Sequence, residues 1–267
     1  MFVEKNNIEK IHRESDPNRA KKKLLVRIFR LAKRYANYKY YLNCNIIHKC
    51  LPYTMISDSS LVRIIDLVKY VNKNNISGDF VECGVWRGGA CMAIALTQVK
   101  CLGCTRDIWL YDTFEGMTRP TDEDGPKATN KYKDIIDGRH VDRYDQWHKE
   151  NKWIYCPIEM VQKNMYSTGY DLEKINFVSG DVLKTIDKNS PSAIALLRLD
   201  TDWYESTKKE LDVLFPRVSI GGIVIVDDYY AWPGSKKAAD DFMIANRNKI
   251  VILENKSPQP LILKRIA

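Results

Sequence analysis

No run of about 18 apolar residues occurs in this 267-residue chain, so the sequence offers no membrane span. The N-terminus, MFVEKNNIEK, is charged where a secretory signal would be apolar. Internal repeats and low-complexity tracts are absent. The 7 cysteines are odd in number and scattered, which points to reduced thiols and a cytoplasmic setting. Cys101 and Cys104 form a CxxC without a second pair or histidines at ligand spacing, which argues against zinc. A dinucleotide fingerprint is missing too. In ECGVWRGG (82–89), Trp86 stands where G-x-G-x-x-G needs its middle glycine for close approach of a pyrophosphate, and this argues against NAD in its usual pose.

Acidic charge is scarce in one region only. The first 50 residues hold 13 Lys and Arg against 4 Asp and Glu, leaving 29 and 30 for the remaining 217, so the overall +8 belongs to an N-terminal extension. Within it, Leu24, Leu25, Ile28, Leu31 and Tyr35 recur at helical spacing while lysines and arginines fill the other positions, predicting a basic amphipathic helix over residues 20–42. That helix either packs on the body or on a twin subunit in a homo-oligomer, or touches an anionic surface. A near-neutral body makes nucleic acid an unexpected partner.

From residue 51 the pattern is that of one α/β domain. Strand-like runs at 79–85, 107–114, 175–182, 193–200 and 222–228 are mostly separated by helix-length segments, and the last two runs, KIVILEN and PLILKRI, read as a hairpin. These predict a doubly wound, mostly parallel sheet with an antiparallel hairpin at one edge. Between the second and third strands, residues 115–174 are too long for a connection. Their polar start, GMTRPTDEDGPKATNKYKD, reads as a flap, and Trp147 or Trp153 is placed to offer an apolar face to an acceptor.

Two strands end in paired acids, Asp200 with Asp202 and Asp227 with Asp228, and the helical spacing over 205–215 joins them as one strand-helix-strand unit. A parallel crossover brings all four carboxylates to one rim of the sheet, where open α/β folds bind ligands. Such a cluster needs a cation, and oxygen ligands suit Mg²⁺. The plainer alternative is a solvated strand end with Asp200 as a helix cap. Glu82 and Asp112 end the first two strands, where an acid can accept bonds from ribose hydroxyls, and Asp181 in SGDV can line an adenine edge. Three acids without a phosphate cradle suit a small cationic nucleoside, a description that S-adenosylmethionine meets. Each acid could equally cap a helix.

Together the segments ECGVWRGG, YDTFEGM, GDV, LDTDWY and DDYYAWPG resemble the macrocin-type sugar O-methyltransferases, over about residues 52–242, with the first 50 residues and the flap outside the likeness. The resemblance implies a class I, Rossmann-like methyltransferase domain at 51–267 behind a helical extension at 1–50. It also implies S-adenosylmethionine against Thr54, Met55, Glu82, Gly84, Trp86, Asp112, Thr113 and Asp181, Mg²⁺ on Asp200, Asp227 and Asp228, and Asp202 as general base. The expected reaction is methylation of a vicinal-diol sugar hydroxyl. A catechol-like phenol acceptor and a non-catalytic cofactor-binding module are the alternatives.

Overall fold

The computed structural model describes residues 43–102, 106–139 and 152–267, of which Ile46 onward forms one compact unit. The helix expected over 20–42, Cys104, His140, Trp147 and His148 lie outside these residues.

Seven strands form one sheet: β1 (Asp79–Cys83), β2 (Ile108–Asp112), β3 (Ile175–Ser179), β4 (Ile194–Leu199), β5 (Val218–Val226), β6 (Ile250–Glu254) and β7 (Leu261–Arg265). Their order is β3-β2-β1-β4-β5-β7-β6. The first five are parallel, whereas β7 is antiparallel to both β5 and β6. The closing hairpin therefore lies at the expected edge, with its second strand on the inside. Chain order reverses between β1 and β4, and a crevice opens at such a switch point beyond the strands' C-terminal ends.

Burial explains why these runs become strands. Every residue of β4, IALLRL, is buried, as a central parallel strand covered on both faces requires. Side chains alternate between two cores: Phe80, Leu196 and Ile223 enter one, while Val81, Leu197 and Val224 enter the other. The first core also takes α1 (Asp58–Lys73) and α2 (Gly89–Thr97). Ser57 caps α1 by accepting the Ser60 amide. Ile46, Ile47 and Cys50 are buried in this core as well, although they lie ahead of residue 51.

Among the described residues of the long insertion, the polar start is helical rather than a loop-like flap. The insertion contains α3 (Gly125–Ile136), which buries Ala128 and Ile135 against Trp153 and Trp203, and later α4 (Ile158–Tyr166). The many lysines and aspartates of this stretch masked a helix with a narrow apolar face. Between β4 and β5 runs α5 (Tyr204–Leu214), and α6 (Pro233–Ala245) follows β5.

Candidate active site

A cavity of about 500 Å³ opens at the C-terminal ends of the parallel strands. It is lined by every site residue read from the sequence: Thr54, Met55, Glu82, Gly84, Trp86, Asp112, Thr113, Asp181, Asp200, Asp202, Asp227 and Asp228.

Carboxylate oxygens of Asp200, Asp202 and Asp228 lie within 4.8 Å of one another. Asp227 is drawn aside: its Oδ1 is 2.9 Å from the guanidinium of Arg198. Arg198 also pairs with Glu82 Oε1 and, at 2.7 Å, with Asp200 Oδ2, and it is 1 % exposed. Part of the cluster's repulsion is thus neutralised by the protein itself. Sequence reading missed Arg198, yet the signal was present, because an arginine inside the apolar run LLRL of a central strand is tolerated only when paired.

Burial raises the pKa values of Asp200 and Asp228 well above the ordinary carboxylate value. Asp202 is pushed up to about 7, chiefly by burial, with Asp200 and Asp227 adding to the rise and bonding to Asp228 and the charge of Lys131 opposing it. Arg198 remains a cation despite its burial because Asp200, Asp227 and Glu82 surround it. The backbone at Asp202 is left-handed, φ 66°, and its N–H donates to Asp228 Oδ2 at 3.2 Å. A non-glycine residue held there costs on the order of 1–3 kcal/mol, and such strain gathers at functional sites. Trp86 (φ 48°) and Ile154 (φ 56°), also on the cavity wall, share that conformation.

One half of the cavity is built on the turn after β1. Asp112 Oδ2 accepts the amides of Val85 at 2.7 Å and Trp86 at 3.0 Å, and its Oδ1 accepts Phe114 N–H at 2.8 Å. The carboxylate given to a ribose from sequence therefore also fixes the turn on which Trp86 stands. Gly84 is required by the neighbouring strand: a Cβ there would come within 1.9 Å of the Asp200 carbonyl oxygen. A Cβ on Gly89 would meet the Tyr53 carbonyl at 2.5 Å, so glycine lets the segment carrying Thr54 and Met55 close over the start of α2. Asp181 accepts Leu183 N–H at 3.0 Å and caps the following turn. Glu82 accepts from Cys91 at 2.7 Å as well as from Arg198.

The insertion supplies a further part of the wall. Trp153 is 2 % exposed and packs with Trp203 and Trp232 at centroid distances of 5.8 and 6.0 Å. Two bonds hold this wall to the DTDWY segment: Trp203 Nε1 donates to the Thr118 carbonyl at 2.9 Å, and Asp124 Oδ1 accepts Tyr204 N–H at 2.7 Å. Neither Asp124 nor Trp232 was singled out from the sequence: Asp124 meets Tyr204 80 positions along the chain, and Trp232 packs on Trp153 from another segment.

Residues 9–252 match the macrocin O-methyltransferase (TylF) family. The match includes most of the basic N-terminal segment and all of the 115–174 insertion, correcting the narrower extent read from the motifs. The chain is 37 % identical over 194 residues to demethyldecarbamoylnovobiocin O-methyltransferase of Streptomyces niveus, covering 71 % of this chain and 67 % of the relative. It is 33 % identical over 179 residues to 8-demethyl-8-(2,3-dimethoxy-alpha-L-rhamnosyl)-tetracenomycin-C 4'-O-methyltransferase of Streptomyces olivaceus, covering 67 % of this chain and 63 % of that one. Among solved structures, the O-methyltransferase NovP superposes with a TM-score of 0.65 at 31 % identity, over 80 % of this chain and 83 % of its own. The fold, the strand-end cavity and these likenesses converge: the chain belongs to the macrocin O-methyltransferase family, whose methyl donor is S-adenosylmethionine.

Proposed function

We propose that the protein transfers a methyl group from S-adenosylmethionine to one hydroxyl of a vicinal-diol sugar with Mg²⁺ in the carboxylate cluster. The observation that carries this reading is the convergence of Asp200, Asp202 and Asp228 within 4.8 Å beside a nucleoside-sized cavity. All three offer hard oxygen donors. The S. olivaceus relative, whose name specifies a rhamnosyl 4'-position, supports a sugar acceptor.

In this reading Asp200 and Asp228 hold the ion, and Asp227 completes the set through the carboxylate oxygen that Arg198 does not take. When bound, the ion supplies charge that lowers the pKa of a sugar hydroxyl and draws its neighbour into line. Asp202 takes the hydroxyl proton, and its ionisation near neutrality suits a general base at physiological pH. The acceptor oxygen then bonds to the methyl carbon while the carbon–sulfur bond breaks, releasing S-adenosylhomocysteine. Trp153 and Trp232 exclude water as the sulfonium loses its charge. Thr54, Met55, Glu82, Gly84, Trp86, Asp112, Thr113 and Asp181 make up the cofactor's side of the cavity.

Asp202 is close enough to the other two acids to act as a ligand instead, and Asp202→Asn separates the roles. As base, its loss leaves Mg²⁺ affinity in place while turnover falls by roughly 10²- to 10⁴-fold and recovers in part at high pH. Loss of Mg²⁺ affinity in calorimetry would move Asp202 into the ligand set. The aromatic wall also accommodates a catechol ring, so the acceptor panel should contain one.

A further inference from the structure

Glu210 is a buried acid that the chemistry above does not use. It lies on α5 with no exposed surface, on the face that also buries Ser206, Thr207, Leu211 and Leu214. Its Oε2 accepts the Thr201 hydroxyl at 3.2 Å, whereas Oε1 is buried with no hydrogen-bond partner among the described residues. Burial holds its pKa well above the ordinary carboxylate value; the Thr201 bond opposes the rise, and the charges of Asp200 and Asp181 add to it. A buried polar atom without a hydrogen bond destabilises a fold, and leucine would fill nearly the same volume with no such atom. Helix packing alone therefore gives no reason for an acid here.

Thr201 supplies one. It stands between Asp200 and Asp202 and lines the cavity. Trp203 N–H donates to the Thr201 carbonyl at 2.7 Å, which closes a three-residue turn centred on Asp202, whose φ of 66° marks the rare and strained form of such a turn. A strained turn persists only where its surroundings hold it. On one side Asp200 N–H donates to the Cys83 carbonyl at 2.8 Å, and on the other Asp202 N–H donates to Asp228 Oδ2. From α5 the turn is held twice, by the Ser206 hydroxyl on the Thr201 carbonyl at 3.3 Å and by Glu210 on the Thr201 side chain. We infer that Glu210 is a positioning residue: through the Thr201 hydroxyl it holds the turn that keeps Asp200 and Asp202 on the cavity rim, at a cost to the stability of the fold. The inference rests on the methyltransferase reading only for what the held turn is used for.

The test reads the turn itself, by amide hydrogen exchange at Asp202 and Trp203 in the full-length protein, alongside steady-state kinetics and urea unfolding. Thr201→Val removes the hydroxyl at nearly constant shape, Glu210→Leu removes its partner, and Glu210→Gln keeps an oxygen that can accept from Thr201. Exchange at the two amides is expected to rise about fivefold or more in Thr201→Val and in Glu210→Leu, the worth of one neutral hydrogen bond, and the double variant should be no looser than either. In the same variants kcat should fall roughly 10- to 100-fold while acceptor KM and S-adenosylhomocysteine affinity hold, and Glu210→Gln should retain most of the turnover. Glu210→Leu should resist urea at least as well as the wild type, whereas an acid serving only the helix packing would give a less stable protein with the turn unmoved. Thr201→Val decides the matter whether or not the leucine variant folds. Unchanged exchange at Asp202 and Trp203 in Thr201→Val, or a Glu210→Gln variant as loose as Thr201→Val, would overturn the inference. The two readings fail separately. If the wild type methylates no acceptor, the methyltransferase reading fails and the exchange data still decide the role of Glu210; methyl transfer with a turn indifferent to Thr201→Val removes Glu210 alone.

Discussion

Glu82 and Arg198 are register partners across the parallel β1–β4 pair, and their side chains form an ion pair with exposures of 2 % and 1 %. The pair lies at the switch point of the sheet and joins its floor to the carboxylate rim, since Arg198 also contacts Asp200 and Asp227. A buried arginine in this place orients two rim acids before any ligand arrives.

Arg198→Met leaves Glu82 buried without its partner and the rim acids without their fixed cation. Removing one partner of a buried pair typically costs about 3–5 kcal/mol, and a loss of that order is expected here in urea unfolding followed by tryptophan fluorescence. Glu82→Gln should lose less, because its amide oxygen can still accept from Arg198 while the amide N–H group replaces the oxygen that Cys91 bonds. A neutral outcome for Arg198→Met would mean that the rim does not depend on this pair.

The acids of the rim give a signed pH dependence. Asp202 titrates at about 7 in the folded chain against a reference value of 3.8, so between those values the folded state holds the extra proton. Its contribution to stability is complete below 3.8 and disappears as pH rises through 7, and Asp200 and Asp228 act in the same direction. In a chelator the thermal midpoint should fall as pH rises through this window, and Asp202→Asn should shallow the fall. Mg²⁺ should raise the midpoint most at the upper end, where the acids are ionised. A midpoint that climbs steadily from pH 4 to 7 in chelator would contradict the assignment.

Asp124 joins the insertion to the DTDWY segment by accepting Tyr204 N–H at the start of α5. Its Oδ2 also accepts Thr121 N–H at 2.7 Å. Asp124→Ala should cost about 0.5–2 kcal/mol, as loss of a helix cap does. Because the wall bearing Trp153 then loosens while the turn after β1 is untouched, KM for the acceptor should rise with little change in S-adenosylhomocysteine affinity. Weakened cofactor binding with normal acceptor KM would place the insertion on the other side of the cavity.

Local pattern and topology made much of this legible. Apolar runs gave the strands, a right-handed crossover put Asp200, Asp202, Asp227 and Asp228 on one rim, and Trp86 marked the turn as unsuited to a dinucleotide. What sequence spacing does not convey is pairing between distant positions. Asp227 and Asp228 are adjacent in the chain, yet one turns to Arg198 and the other to Asp202, a division set by the sheet register and by the left-handed backbone at Asp202. Of the tryptophan wall only Trp153 was read from the sequence, because Trp153, Trp203 and Trp232 come from three separate segments. The helix α3 escaped notice since only Ala128 and Ile135 of its residues are buried, too few for a clear period.

Metal-dependent transfer is the central property expected of this carboxylate rim. Purified protein with labelled S-adenosylmethionine should methylate a vicinal-diol sugar in the presence of Mg²⁺, lose that turnover in excess chelator and regain it when Mg²⁺ is restored; the corresponding sugar with one hydroxyl of the diol removed should be a poor acceptor, because single-point binding lacks the orienting contact. Methylation of the diol at an undiminished rate in chelator would contradict it.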